Sequence, residues 1–184
     1  RPKSVERLMR CVAIGGVPAT GKTTLMNKLF EQMGSPKGFK YGLVRGHVCK
    51  ERNIALLGIY GTGETFAGTD KLAMNVNPHF HKYTERKDRN ILFEGDRLFT
   101  LNNLLHLKQL YETRVIILEA DEQTLHQRHQ DRGDGQTDKF LQGRKTKIAN
   151  IKQGLNGDYQ LCSLLDIADT TNLAQDVLDW LSHK

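Results

Sequence analysis

The sequence predicts a parallel α/β domain, and three observations carry that reading. Short apolar segments alternate along the chain with longer amphipathic ones, which is the order that builds a parallel sheet flanked by helices. The first apolar segment, Cys11 to Ile14, runs into Gly16-Val17-Pro18-Ala19-Thr20-Gly21-Lys22-Thr23, an instance of G-x-x-x-x-G-K-[ST], and an amphipathic stretch from Thr24 to Met33 follows. Strand, glycine turn and helix in that order are the context in which this pattern cradles phosphate. A later apolar segment, Asn90 to Phe93, ends in Glu94-Gly95-Asp96 and so carries carboxylates to the end of a strand.

Each further element follows from its local pattern. Ser35 to Gly38 reads as a loop, and Tyr41 to Cys49 and Ile54 to Tyr60 read as β segments parted by the polar Lys50-Glu51-Arg52-Asn53. Gly61 to Asp70 holds too much glycine for a regular element and reads as a functional loop. A helix is predicted after Asn77-Pro78, through Tyr83, and the acid-ended strand spans Asn90 to Arg97. Leu101 to Tyr111 is an amphipathic helix, Arg114 to Leu118 a buried strand, and Asp121 to Arg132 a polar helix broken by Gly133-Asp134-Gly135-Gln136. A helix from about Lys139 to Gln153, a last strand over Leu164 to Ala168 and a closing helix from Leu173 to Leu181 complete the order. No repeat or linker divides the chain, so residues 1–184 read as one domain.

Composition narrows the class without naming a function. Hydrophobic residues at 38% and charged residues at 26% are ordinary for a soluble globular protein. No apolar run approaches the roughly 18 residues of a membrane span, and no signal-peptide pattern precedes the first strand. Cys11, Cys49 and Cys162 are scattered and odd in number, which fits neither a zinc site nor a disulfide framework and points to the cytoplasm. The net charge of +6 and a pI near 9.3 favour a polyanionic substrate. Two basic clusters, Arg1/Lys3/Arg7/Arg10 and Lys82/Arg86/Lys87/Arg89, concentrate that charge.

The chemistry-bearing residues then follow. The P-loop amides from Gly16 to Thr24 and the helix N-terminus suit the phosphates of ATP. Lys22 is placed to reach the β- and γ-phosphates and Thr23 to offer its hydroxyl to Mg2+. Glu94 is the expected magnesium-side carboxylate, and Asp96 or Asp70 the expected general base. Arg128 and Arg132 are four apart and share a helix face, while Gly133 and Gly135 supply hinges beside them. Arg144 and Lys147, three apart on the returning helix, form a second basic pair facing the same phosphates. Arg97 is a candidate phosphate contact. The pairs His79/His81 and His126/His129 lack a third ligand at a telling spacing and read as surface or phosphate-proximal residues.

The acid-ended strand resembles a Walker B element, and the passage from Leu118 to Arg132, with its R-x-x-x-R, resembles the strand-to-lid segment of small P-loop kinases. Together with the P-loop they resemble the nucleoside-monophosphate-kinase-like branch. That resemblance implies a three-layer fold with a five-stranded parallel sheet in order 2-3-1-4-5, a helical lid near residues 128–147, and ATP with Mg2+ as phosphoryl donor. No guanine-reading N-K-x-D sequence is present. The segments G-T-D-K-L from Gly68, E-G-D-R-L from Glu94 and G-R-K-T-K from Gly143 further resemble phage-associated kinases. Some of those phosphorylate the hydroxymethyl group of 5-hydroxymethyluracil in DNA. A DNA acceptor would be met by the basic clusters, with Tyr60, Phe66, Phe80 or Tyr83 stacking on an extruded base. A small soluble acceptor, such as a nucleotide, nucleoside or sugar acid, is the alternative, and a nucleotide-binding module without an acceptor is the third reading.

Overall fold

The apolar segment around Cys11 becomes the centre of a seven-stranded sheet. A computed structural model describes residues 8–34, 36–61, 68–131 and 138–182. Strand β1 (Arg10–Gly16) lies between β5 (Asn90–Glu94) and β6 (Glu112–Glu119) and pairs parallel with both. On the outer flanks, β4 (Ile54–Leu57) pairs parallel with β5, and β7 (Gln160–Ser163) pairs parallel with β6. The parallel strands therefore stand in the order β4-β5-β1-β6-β7, which reproduces the predicted 2-3-1-4-5. Two further strands, β2 (Lys37–Tyr41) and β3 (Val44–Cys49), extend the β4 edge as an antiparallel hairpin, so the sheet is mixed and seven-stranded rather than five-stranded.

Period-two alternation sorts the central strands between two cores. Cys11 and Ala13 face one core with Ile91, Phe93, Val115 and Ile117. Val12 and Ile14 face the other with Leu92, Ile116 and Leu118. Helices α2 (Asn77–Glu85), α3 (Leu101–Leu110) and α5 (Asp138–Leu155) cover the first face through Phe80, Leu104, Leu107, Ile148 and Ile151. Helices α1 (Lys22–Gln32) and α6 (Ile167–Ser182) cover the second through Leu25, Met26, Leu29, Ala174 and Leu178. Strands buried on both faces explain the continuous apolar runs in the sequence.

Caps set the helix starts. The Thr100 hydroxyl accepts from the Asn103 amide at 3.3 Å ahead of α3, and Asp121 accepts from the Thr124 amide at 2.6 Å ahead of α4 (Glu122–Asp131). Asp166 corrects one expectation. It caps α6 by accepting from the Asp169 amide at 2.8 Å, while Asp169 accepts from the Leu165 amide at 2.9 Å. This reciprocal cap commits Ile167 and Ala168 to a helix, so the last strand is the polar edge segment Gln160–Ser163 and not Leu164 to Ala168. The loop expected over Ser35 to Gly38 likewise gives way, since Lys37 and Gly38 open β2. The single segment from Tyr41 to Cys49 is folded at Gly42 (φ 57°), where the Leu43 amide donates to His79 Nδ1 at 3.3 Å. The segment expected to run to Tyr60 stops at Leu57, because Gly58 (φ 110°) turns the chain and its amide donates to the Arg45 carbonyl at 2.8 Å. Among the described residues no helix is long and apolar enough to cross a membrane.

Candidate active site

The carboxyl ends of β1 and β5 open side by side, the position in which open α/β sheets bind ligands. Beyond β1, Gly21 takes a left-handed conformation (φ 97°) as N-cap of α1, and Lys22 is the first helical residue. The buried Thr20 hydroxyl donates to the Val17 carbonyl at 2.9 Å and stiffens the turn. The Lys22 ammonium folds back to donate to the Gly16 carbonyl. Thr23 and Thr24 are exposed at the helix N-terminus. A cleft of about 730 Å³ opens here, with Lys22, Thr23, Asp70, Glu94, Asp96 and Arg144 in its wall.

Three carboxylates converge on this cleft. Glu94 ends β5 and is only 7% exposed. Burial pushes its carboxyl up to about 7; Asp70 and Asp96 push the same way, and the Lys22 ammonium opposes them. Asp96 is held by two cations from α5. Arg144 Nη1 lies 3.1 Å from one oxygen and Lys147 Nζ 3.6 Å from the other, and Lys147 also donates to the Asp96 carbonyl at 3.0 Å. Burial lowers the Lys147 pKa, with Asp96 acting against the shift. Asp70 sits on a short 3₁₀ turn, Thr69–Lys71, where its Oδ1 accepts from the Arg97 amide at 3.1 Å.

That 3₁₀ turn is bonded to the end of β5. The buried Thr69 hydroxyl donates to the Glu94 carbonyl at 2.6 Å, so the 3₁₀ turn and the acid-bearing strand end are one unit. Sequence reasoning missed Thr69 because nothing local signals a partner 25 residues away. Arg97, expected to meet phosphate, turns instead along the 3₁₀ segment, with Nη1 2.6 Å from Met74 Sδ and Nη2 3.5 Å from the Asp70 carbonyl.

Arg128 lies on α4 and bridges two loops, donating to the Ala19 carbonyl at 2.9 Å and the Leu164 carbonyl at 2.8 Å. It joins the P-loop to the segment before α6. Its planar fork serves the two acceptors from two separate nitrogens, a spread that the single nitrogen of a lysine does not reproduce. Arg128→Ala is therefore expected to weaken nucleotide binding about tenfold or more, and Arg128→Lys to restore little of it, measured by titration calorimetry. Arg132, Gly133, Gly135 and Phe66 lie outside the described residues.

Of the residues expected to stack on a base, those that are described do not line the cleft. Phe80 is fully buried in the core, Tyr60 is 4% exposed, and Tyr83 packs on Phe39 at 5.5 Å and Tyr41 at 5.4 Å. Among the described residues Phe140 is the aromatic one in the cleft wall, with the Arg144 guanidinium 4.8 Å over its ring. Neither histidine pair lines the cleft. His81 stacks on His106 at 4.1 Å, and His126 and His129 line a smaller cavity of about 300 Å³ against Val17 and Pro18. The basic clusters are partly engaged: Arg10 bonds Glu112 and lies 4.7 Å over Trp180, and Arg86 pairs with Asp88 at 2.6 Å.

Among the described residues no three His, Cys, Asp or Glu side chains converge as a metal cage. A magnesium ion in such a cleft takes most of its ligands from phosphate and water and needs only one or two from protein. The Thr23 hydroxyl and the buried Glu94 carboxylate, set among further acids, suit that limited demand.

No protein-family model matches the chain, and no curated protein sequence does. Solved structures do. A gluconokinase from Sinorhizobium meliloti 1021 aligns with a TM-score of 0.52 at 14% identity, over 96% of this chain and 95% of that one. An uncharacterized protein from Eubacterium ventriosum ATCC 27560 aligns with a TM-score of 0.52 at 12% identity, over 96% of this chain and the whole of the other. At such identities the likeness is one of architecture. Sheet order, P-loop position and layering together show that the chain has the α/β fold of a small P-loop kinase.

Proposed function

We propose that the protein is a kinase that moves the γ-phosphoryl group of ATP onto a hydroxyl of a small soluble acceptor. The observation that carries the reading is the convergence of Lys22, Glu94, Asp96 and Asp70 on one cleft at the carboxyl edge of the sheet. A triphosphate laid on the α1 N-terminus would draw Lys22 from the Gly16 carbonyl to the β- and γ-oxygens. Magnesium, when bound beside Thr23 and Glu94, neutralises charge on the β- and γ-phosphates. The remaining work is to position the acceptor hydroxyl in line and to take its proton.

Asp96 is the residue we assign to that proton. Its cations, Arg144 and Lys147, face the same cleft region, and an arriving γ-phosphate competes for Arg144. Arg132 is assigned the lid role that its spacing from Arg128 suggests. Asp70 holds the Arg97 amide and borders the acceptor side, so it positions. Asp96→Asn is expected to lower kcat about a hundredfold or more with little change in acceptor KM, and Asp70→Asn to raise acceptor KM more than it lowers kcat. Steady-state kinetics of both variants decide the division; a reversed pattern exchanges the roles.

Support for a small acceptor comes from the fold likeness to a gluconokinase. A second reading, transfer to 5-hydroxymethyluracil in DNA, has one observation of its own besides the motif resemblance. Lys40 and Arg45, both exposed, stand directly opposite each other across the β2–β3 hairpin. Like charges so paired destabilise a sheet unless a polyanion meets them. Transfer of labelled γ-phosphate is compared across sugar acids, nucleosides, nucleotides, plain DNA and DNA carrying 5-hydroxymethyluracil. Label in a small acceptor supports the first reading, and label confined to the modified DNA replaces it with the second.

A further inference from the structure

Tyr60 lies behind the cleft wall and takes no part in the chemistry assigned above. Its ring is gripped by neighbours: Phe30 stacks on it at 6.3 Å, the His47 ring lies at 6.2 Å, and its amide donates to His47 Nε2 at 3.1 Å. The side chain is buried, yet its hydroxyl has no hydrogen-bond partner among the described residues. A hydroxyl that has given up water without replacement calls for an explanation.

The explanation lies at Gly68. This residue adopts φ 92° and ψ −151°, a conformation essentially reserved for glycine. A Cβ there would stand 2.6 Å from Glu94 Oε1 and 2.8 Å from the Tyr60 hydroxyl oxygen. Both oxygens thus approach a single point, the place that a side chain on residue 68 would fill. The Thr69 hydroxyl fixes the Glu94 backbone, leaving the orientation of the carboxylate as the open degree of freedom. A phenol donates and a carboxylate accepts, so Tyr60 is the donor and Glu94 the acceptor beside it.

We propose that Tyr60 is a positioning residue for Glu94: in the nucleotide-loaded protein its hydroxyl donates to the Glu94 carboxylate across Gly68 and fixes how that carboxylate meets the metal-bound nucleotide. The consequence for nucleotide binding rests on the kinase reading; the contact itself does not.

Tyr60→Phe removes only the unpartnered hydroxyl, and its apo melting temperature is expected to match or exceed that of the wild type. Titration calorimetry with a non-hydrolysable ATP analogue, with and without Mg2+, is the test. The expected result is an unchanged affinity without Mg2+ and a loss of about tenfold with it, the scale of one hydrogen bond to a charged group. In a Glu94→Gln background the same change is expected to add less than about twofold, because the two residues act through one another. Equal losses with and without Mg2+, full additivity with Glu94→Gln, or an effect confined to acceptor KM would overturn the proposal. The last outcome would make Tyr60 an acceptor contact. If the Mg2+-dependent loss is present and no acceptor is ever labelled, the contact stands and the kinase reading falls.

Discussion

Lys22→Met is expected to lower phosphoryl transfer by at least about a hundredfold, the scale of removing one preorganised group aimed at developing charge. Lys22 is the cation of the P-loop itself, and in the apo protein its ammonium is spent on the Gly16 carbonyl. It is also the charge that opposes the upward push on Glu94. Its loss therefore leaves Glu94 still more reluctant to ionise, and metal-dependent nucleotide binding falls together with turnover. Steady-state kinetics combined with calorimetric titration check both effects on the same variant. A kcat within threefold of the wild type would remove Lys22 from the mechanism.

Glu94→Gln is expected to abolish turnover while making the apo protein more stable above neutrality. The carboxyl of Glu94 is raised in the folded state from the ordinary 4.5 to about 7, chiefly by burial. A carboxyl whose folded pKa is raised binds its proton more tightly when folded than when unfolded. Stability contributed by that proton is complete below about 4.5 and is lost as pH rises through about 7. The full difference is on the order of 3 kcal/mol. Wild-type apo protein should accordingly lose stability between pH 5 and 8, and Glu94→Gln should flatten that slope and melt higher at pH 8. Thermal melts across that range read the effect directly. The destabilising carboxylate is the kind of cost that binding sites retain for function.

How far the sequence reached depended on whether a signal was local. The P-loop is contiguous, so eight residues in order announce a strand, a glycine turn and a helix, and the structure has all three. Glu94 was visible because an apolar strand announced its own end. The parallel core order was implied by the family resemblance, and the structure has it. The β2–β3 hairpin was not legible, since its strands are short, half exposed and turned at Gly42, a position no run of apolar residues marks. β7 was misplaced for a related reason. It is a polar edge strand, and the more apolar segment after it leads into a capped helix at Ile167.

Side-chain targets were harder than elements. The spacing of Arg144 and Lys147 correctly gave one shared face, but spacing alone does not say what the face meets, and both reach Asp96. Arg128 was legible as a cleft residue and not as the tie between Ala19 and Leu164. Thr69 gave no signal, and Tyr60 was legible only as a stacking candidate, because the bond from Thr69 to Glu94 and the approach of Tyr60 to Gly68 form only on folding.

The central claim, phosphoryl transfer from ATP to an acceptor hydroxyl, is tested most directly by the fate of labelled γ-phosphate in the presence of the acceptor panel. With wild-type protein and Mg2+, label is expected to appear covalently on an acceptor, and Lys22→Met is expected to leave that acceptor unlabelled. Label released only as inorganic phosphate with every acceptor, or acceptor labelling that survives Lys22→Met, would contradict the account.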